Sequence, residues 1–250
     1  MLAIAVDLRE VAILLDVDGT LLDFAATPRE VFVPGTLRLT LERLKQSTDG
    51  ALALVSGRPL AELDLIFAPL QLAGVGGHGA EIRLTPTGKA DRGRATALPE
   101  SLKRRMATVA SASPGILIED KGFSIALHYR LAPEMETFVL KSVAEICEQM
   151  HDSTLEILPG KAVVEVKSTG FDKGTGVREL MEHRPFAGRR PLFIGDDTTD
   201  DAAFAVLPEF DGLGISVGRR VAGAELCLET PNDVRLWLEQ ISQVESTTAS

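Results

Sequence analysis

The chain has 250 residues, enough for one large or two smaller domains around a sizeable core. Its 36 acidic against 26 basic side chains leave a formal charge of -10, which argues against non-specific nucleic-acid binding, since that needs a basic patch. No apolar run approaches the roughly 20 residues of a membrane span, so no membrane association is expected. The chain opens without the basic, apolar and small-residue succession of a secretory signal. Cys147 and Cys227 lack metal-ligand spacing, so a reducing, cytoplasmic setting is the expectation.

Residues 11–15 read as a buried strand that stops at Asp16, because Gly19-Thr20 signals a turn. A carboxylate there stands at the C-terminal edge of a sheet, where open α/β folds place ligands. Strand side chains two apart point the same way, so Asp16 and Asp18 are expected to share one small volume with a cation or proton between them. Residues 33–44 read as a helix and 51–55 as a second buried strand, ended by Ser56-Gly57-Arg58-Pro59. A helix follows over 60–67, then a glycine-rich third strand over 72–79. Residues 81–94 are polar and turn-rich, and 99–110 look helical. Runs at 116–120 and 123–130 flank Lys121-Gly122, a hairpin signal. A long amphipathic helix pattern covers 133–150, and runs at 155–158 and 162–166 flank a second hairpin turn, Pro159-Gly160-Lys161. This block has antiparallel character and reads as an inserted second domain. After Gly170 the βα rhythm resumes: helix 173–183, strand 191–194, helix 200–207, strand 212–217 and helix 231–241, with a polar tail from Gln243 expected to fray.

Four strand ends carry chemistry. Asp16 and Asp18 follow the first, and the Ser56 hydroxyl with its neighbouring amides, suited to an anion, follows the second. Lys173 opens a helix, against the dipole preference, so an anionic partner is expected there. In Ile194-Gly195-Asp196-Asp197-Thr198-Thr199-Asp200-Asp201, four acids crowd one strand-to-helix turn; N-capping by Asp200 explains one acid, not four. Hard oxygen ligands suit Mg²⁺, while a hydroxyl and an ammonium suit phosphate oxygens. A carboxylate nucleophile, a neighbouring acid and one Mg²⁺ make a phosphoryl-transfer site.

These signals resemble the haloacid-dehalogenase-like phosphohydrolases, with their pattern DxDGT, Ser/Thr, Lys and GDDxTD, matched here at Asp16 to Thr20, Ser56, Lys173 and Gly195 to Asp200. The resemblance implies that Asp16 attacks phosphorus and that Asp18 protonates the leaving oxygen, then activates water. It places Mg²⁺ between Asp16, the Asp18 carbonyl and Asp196, with Asp197 and Asp200 supporting, and it gives Ser56 and Lys173 the phosphoryl oxygens. Three further segments are similar to trehalose-6-phosphate phosphatases: Gly76-Gly77-His78-Gly79-Ala80-Glu81, the stretch from Ile118 to Arg130, and Gly160-Lys161-Ala162-Val163-Val164-Glu165-Val166. The expected fold is then α/β, a Rossmann-like parallel-sheet core (residues 1–82 and 168–250) with an inserted α+β cap domain (83–167).

Lys161 with Glu165, Glu119 with Lys121, and His128 with Arg130 each fall on one strand face by the period of two. With Thr20, Arg58 and His78 they are the candidate substrate contacts for a small sugar phosphate. A solvated face with cross-strand ion pairs is the plain alternative for the inserted residues. Val163 stands where some family members place a polar sugar contact. The expected reaction is Mg²⁺-dependent hydrolysis of trehalose 6-phosphate, with a functional association with a trehalose-6-phosphate synthase. Rivals are phosphatases for sucrose phosphate, glucosylglycerol phosphate or a glycosyl-phosphoglycerate, a non-hydrolytic phospho-signalling module, and a silent regulatory subunit. The signalling module lacks an acid two residues after its phosphorylated Asp, so Asp18 argues against it.

Overall fold

The run Val11–Leu15 is buried at every position, as a central parallel strand covered on both faces requires. The computed structural model describes residues 6–24, 30–92 and 95–244. In chain order, the first stretch forms β1 (Val11–Leu15), α1 (Gly35–Ser47), β2 (Leu52–Val55), α2 (Leu60–Phe67), β3 (Ala73–Gly76) and β4 (Glu81–Arg83). The middle stretch forms α3 (Glu100–Ala110), β5 (Leu117–Asp120), β6 (Ser124–His128), α4 (Glu136–Met150), β7 (Leu155–Gly160) and β8 (Val163–Ser168). The last forms α5 (Lys173–Glu182), β9 (Arg190–Gly195), α6 (Asp201–Val206), β10 (Leu213–Val217), β11 (Leu226–Leu228) and α7 (Pro231–Val244).

Two units result. One contains the described residues up to 91 and those from 172 onward; the other runs from 92 to 171. In the first, seven strands lie in the order β11-β10-β9-β1-β2-β3-β4, parallel throughout except for β4 against β3. Strand order reverses at β1, which pairs with β2 on one side and β9 on the other. Leu15 is level with both Leu54 and Ile194, so three neighbouring strands end together at this switch point, where such sheets bind ligands. The period of two sends Ile13 and Leu15 to one face, against Leu41 of α1, Leu63 of α2 and Leu238 of α7. Ala12 and Leu14 go to the other, against Leu180 of α5 and Phe204 of α6. Each fully buried Leu or Phe there contributes about 1.5–3 kcal/mol, so the site rests on a strand anchored by core packing on both faces.

In the second unit an antiparallel sheet runs β5-β6-β8-β7, the two expected hairpins being joined through β6 and β8. Ile125, Leu127, Val164 and Val166 fill one face and pack with Leu102, Met106, Val139 and Val143 of α3 and α4. Glu119, Ala126 and Glu165 stand level on the opposite face.

Several expectations shift. Expected to change domain after residue 82, the chain instead completes β4, whose three residues are buried, and leaves the first unit after Asp91. The polar stretch thus begins as a strand, held by Glu81 accepting from the Leu60 amide at 2.7 Å and by Arg83 gripping Asp64 at 2.6 Å. β11 has no counterpart among the expected strands. The first helix starts at Gly35, since Pro34 before it is non-helical at ψ 137°. The second hairpin turns at Lys161-Ala162, because β7 continues through Pro159 and Gly160; an edge strand tolerates the proline. The end of the expected frayed tail, 245–250, lies outside the described residues.

Candidate active site

Asp16 is the first residue beyond β1, its amide donating to the Ile194 carbonyl at 2.9 Å, so the parallel ladder itself fixes its backbone. Asp196 and Asp200 follow β9. Asp200 Oδ2 accepts from the amides of Asp196 and Asp197, at 2.9 Å each, which folds the loop back on itself. Oxygens of Asp16, Asp196 and Asp200 lie within 4.8 Å of one another, and all three residues are buried. Thr20 Oγ1 donates to Asp196 Oδ1 at 3.2 Å. Between them Gly19 adopts φ +86°, and the Asp196 carboxylate packs where a Cβ would stand, with its Cγ 2.7 Å from that position. A side chain at 19 would push Asp196 away, which is the physical reason a glycine follows Asp18.

Lys173 enters from the N-terminus of α5, which Asp172 caps in a reciprocal pair with Thr175. Its Nζ donates to Asp16 Oδ1 at 2.7 Å and to Asp200 Oδ1 at 2.6 Å, the anionic partners its position called for. Burial pushes the Asp16 carboxyl well above the ordinary range; Lys173 opposes this, and Asp200 and Asp196 add to it. Burial would lower Lys173, but attraction to Asp16 and Asp200 outweighs it and holds the ammonium above its usual value. Three carboxylates and one ammonium give a formal charge of -2 (-3 + 1) in a buried volume. An all-oxygen donor set with this charge fits a hard divalent cation.

The Asp18 carboxylate is paired with Arg58. Arg58 takes it side-on, Nε to Oδ2 at 2.6 Å and Nη2 to Oδ1 at 2.7 Å, while Arg58 Nη1 pairs with Glu62 one helical turn on. Ser56 is buried just beyond β2, its Oγ accepting from the Arg58 amide at 3.2 Å. The His78 amide donates to the Ser56 carbonyl at 3.0 Å; His78 is in the left-handed region (φ 56°), and its ring packs against Gly57. Asp197 turns aside, its Oδ1 accepting from the Thr198 amide at 2.6 Å, and Asp201 pairs with Arg219 at 2.5 Å. The crowding of four acids therefore divides: two join Asp16, and two have partners of their own.

The family model that matches this chain, over residues 14–225, is that of trehalose-phosphatase. The chain belongs to the trehalose-phosphatase family. A "Probable trehalose-phosphate phosphatase" of Sinorhizobium fredii is 40% identical over 230 residues, 92% of this chain and 86% of that protein. The trehalose-6-phosphate phosphatase of Escherichia coli is 37% identical over 231 residues, 91% and 85% of the two chains. The crystal structure of a trehalose-6-phosphate phosphatase related protein superposes with a TM-score of 0.72 at 25% identity, covering 94% of this chain and 98% of that one.

In this trehalose-phosphatase family member the inserted sheet carries its own ionic pairs. Lys121 Nζ meets Glu165 Oε2 at 3.0 Å, and His128 Nε2 meets Glu119 Oε2 at 2.9 Å. Burial tends to raise Glu119, but the His128 hydrogen bond and Lys121 outweigh it, so its carboxyl sits below the ordinary range. Lys161 and Arg130 are not on the strand faces expected for them. Arg130 lies two residues beyond β6 and Lys161 in the turn between β7 and β8, and Arg130 Nη2 donates to the Lys161 carbonyl at 3.1 Å. Glu62 and Arg219 had not been singled out. The i, i+4 spacing from Arg58 could have revealed Glu62; no sequence signal marked Arg219. Among the described residues no helix is long and apolar enough to cross a membrane.

Proposed function

We propose that this chain is a Mg²⁺-dependent phosphatase that hydrolyses trehalose 6-phosphate to trehalose and phosphate. The convergence of Asp16, Asp196 and Asp200 around Lys173 at the switch point carries the reading, together with family membership. Asp16, Asp196 and Asp200 would hold the cation, which when bound supplies a Lewis acid for the phosphoryl oxygens. A carboxylate oxygen of Asp16 attacks phosphorus as the bond to the sugar oxygen breaks, giving an aspartyl-phosphate. Asp18, once it has exchanged Arg58 for a proton, gives that proton to the departing oxygen. It then takes a proton from water, whose oxygen attacks phosphorus; the Asp16–phosphorus bond breaks and phosphate leaves. Ser56 and Lys173 hold the phosphoryl oxygens, and Asp197 and Thr20 support the Asp196 loop.

For the sugar we propose the polar face around Glu119, Lys121, His128 and Glu165, with Arg130 and Lys161 at its end. Ion pairs already oriented across strands can exchange a partner for sugar hydroxyls through charge-assisted hydrogen bonds. Similarity to proteins named as trehalose-6-phosphate phosphatases favours that disaccharide. A functional association with a trehalose-6-phosphate synthase, and a cytoplasmic setting in keeping with the free thiols of Cys147 and Cys227, belong to the same reading. The test is phosphate release by purified protein from trehalose 6-phosphate, sucrose 6-phosphate, glucosylglycerol phosphate and p-nitrophenyl phosphate, with Mg²⁺ and with chelator. Trehalose 6-phosphate is expected to give the highest kcat/KM, lost on chelation. No preference for it over the other sugar phosphates would overturn the substrate assignment.

A further inference from the structure

Arg219 lies just past the end of β10, a strand that contributes none of the expected site residues. Its guanidinium nevertheless reaches the acidic loop after β9. Nε donates to the Asp196 carbonyl at 2.9 Å, and Nη2 donates to the Asp197 carbonyl and to Asp201 Oδ1, the latter at 2.5 Å. On the other side of the same peptides, the amides of Asp196 and Asp197 bind Asp200 Oδ2. Both residues are thus fixed at N–H by one side chain and at C=O by another. The ion pair with Asp201 is half exposed and adds little by itself. What only arginine supplies is a planar fork that spans two successive carbonyls.

We propose that Arg219 is a positioning residue for divalent-cation binding: by clamping the Asp196 and Asp197 carbonyls it sets the direction in which the Asp196 carboxylate meets Asp16 and Asp200. This rests on the reading that the three carboxylates take a divalent cation. Charge and positioning predict opposite signs here. A guanidinium near a cation site repels the cation, so deleting it for charge alone tightens binding. Deleting a clamp that orients a ligand weakens binding, commonly by about 10–100-fold for partners that orient metal ligands.

The experiment is Mg²⁺ titration of metal-free full-length protein by calorimetry, with hydrogen exchange of the peptide spanning residues 195–201 measured before any metal is added. Arg219→Gln is expected to weaken Mg²⁺ binding by about tenfold and to speed exchange across that peptide. Arg219→Lys, which keeps the charge but lacks the fork, is expected to follow it. Tighter or unchanged Mg²⁺ binding in Arg219→Gln, or unchanged exchange at 195–201, would overturn the proposal. Wild-type protein that takes up no Mg²⁺ would overturn the divalent-cation reading and the proposal with it, and the wild-type titration alone tells the two failures apart.

Discussion

Lys173 and Asp16, 157 positions apart in sequence, meet at 2.7 Å in a site where both are buried. Each offsets the desolvation of the other, and Asp200 shares the same ammonium at 2.6 Å. Neither end of the chain can form this site alone: its two parts meet where β1 lies between β2 and β9.

Removing the ammonium leaves buried acids facing one another. Lys173→Ala is expected to cost about 3–5 kcal/mol of stability, the range for breaking a buried pair, and to abolish turnover. Chemical denaturation in chelator measures the first and phosphate release the second. Added Mg²⁺ should restore part of the stability and none of the activity. An unchanged denaturation midpoint would mean that the pair is not the site's electrostatic anchor.

Asp16→Asn acts the other way on stability. Burial and two neighbouring carboxylates oppose ionisation of Asp16, so a neutral isostere relieves repulsion while removing the nucleophile. Turnover is expected to vanish, with a metal-free melting temperature equal to or above that of the parent. Substantial residual phosphate release would refute Asp16 as the group that attacks phosphorus.

Proton and cation compete for the same oxygens. An acid whose folded-state pKa is raised binds more protons folded than unfolded, so the metal-free protein loses stability as pH rises from the ordinary carboxylate range through the folded value of Asp16. Cation binding relieves that loss and releases protons. The rise in melting temperature given by saturating Mg²⁺ should therefore be larger at pH 8 than at pH 5, measured in matched buffers. A larger rise at pH 5 would contradict the assignment of Asp16 to the cation site.

The main elements were legible because burial on both faces writes apolar runs into the sequence: β1 and α2 have the bounds read for them. Edge strands escape such reading. β4 has three residues, two of them charged and paired by Asp64 and the Leu60 amide, and β11 is only half-buried. Within the site, strand-end acids and Lys173 announced themselves by residue type and position. Asp18 was expected beside Asp16, but Arg58 offers it a bidentate partner that no periodicity reveals. Arg130 was placed on a strand face because β6 was read through to 130 although it stops at His128, and Lys161 because it was counted with β8, which starts at Val163. Arg219 binds carbonyls, and a carbonyl has no sequence.

In the proposed function, sugar recognition falls to the inserted sheet and chemistry to the first unit. Lys121 and Glu165 pair across strands with side chains mostly buried, at 7% and 9% exposure, so they are held in one geometry. Glu165→Gln is expected to lower kcat/KM for trehalose 6-phosphate by at least about tenfold, since a lost charge-assisted hydrogen bond is worth roughly 1.5–3 kcal/mol. For p-nitrophenyl phosphate, which has no sugar, the loss should stay below twofold. Equal losses on both substrates would mean that this face does not read the sugar.

Gly79 ties the third strand's turn to the helix end that carries Lys173. It follows Gly77 and His78, both at φ 56°, and itself sits at φ +106°, a conformation open to glycine and costly for alanine. An added Cβ would also stand 2.8 Å from the Asp172 carbonyl carbon and 3.1 Å from its nitrogen, both backbone atoms that cannot rotate away. Asp172 caps α5, and Lys173 is the first residue of that helix. Backbone strain of about 1–2 kcal/mol for a left-handed alanine therefore adds to a shift of the helix end that carries the ammonium. Gly79→Ala is expected to lower the melting temperature and to reduce kcat by more than tenfold with KM little changed, because the displaced group is the one that meets Asp16. If the melting temperature falls while kcat at a temperature well below the transition stays at the parent value, the turn supports the fold and does not aim Lys173.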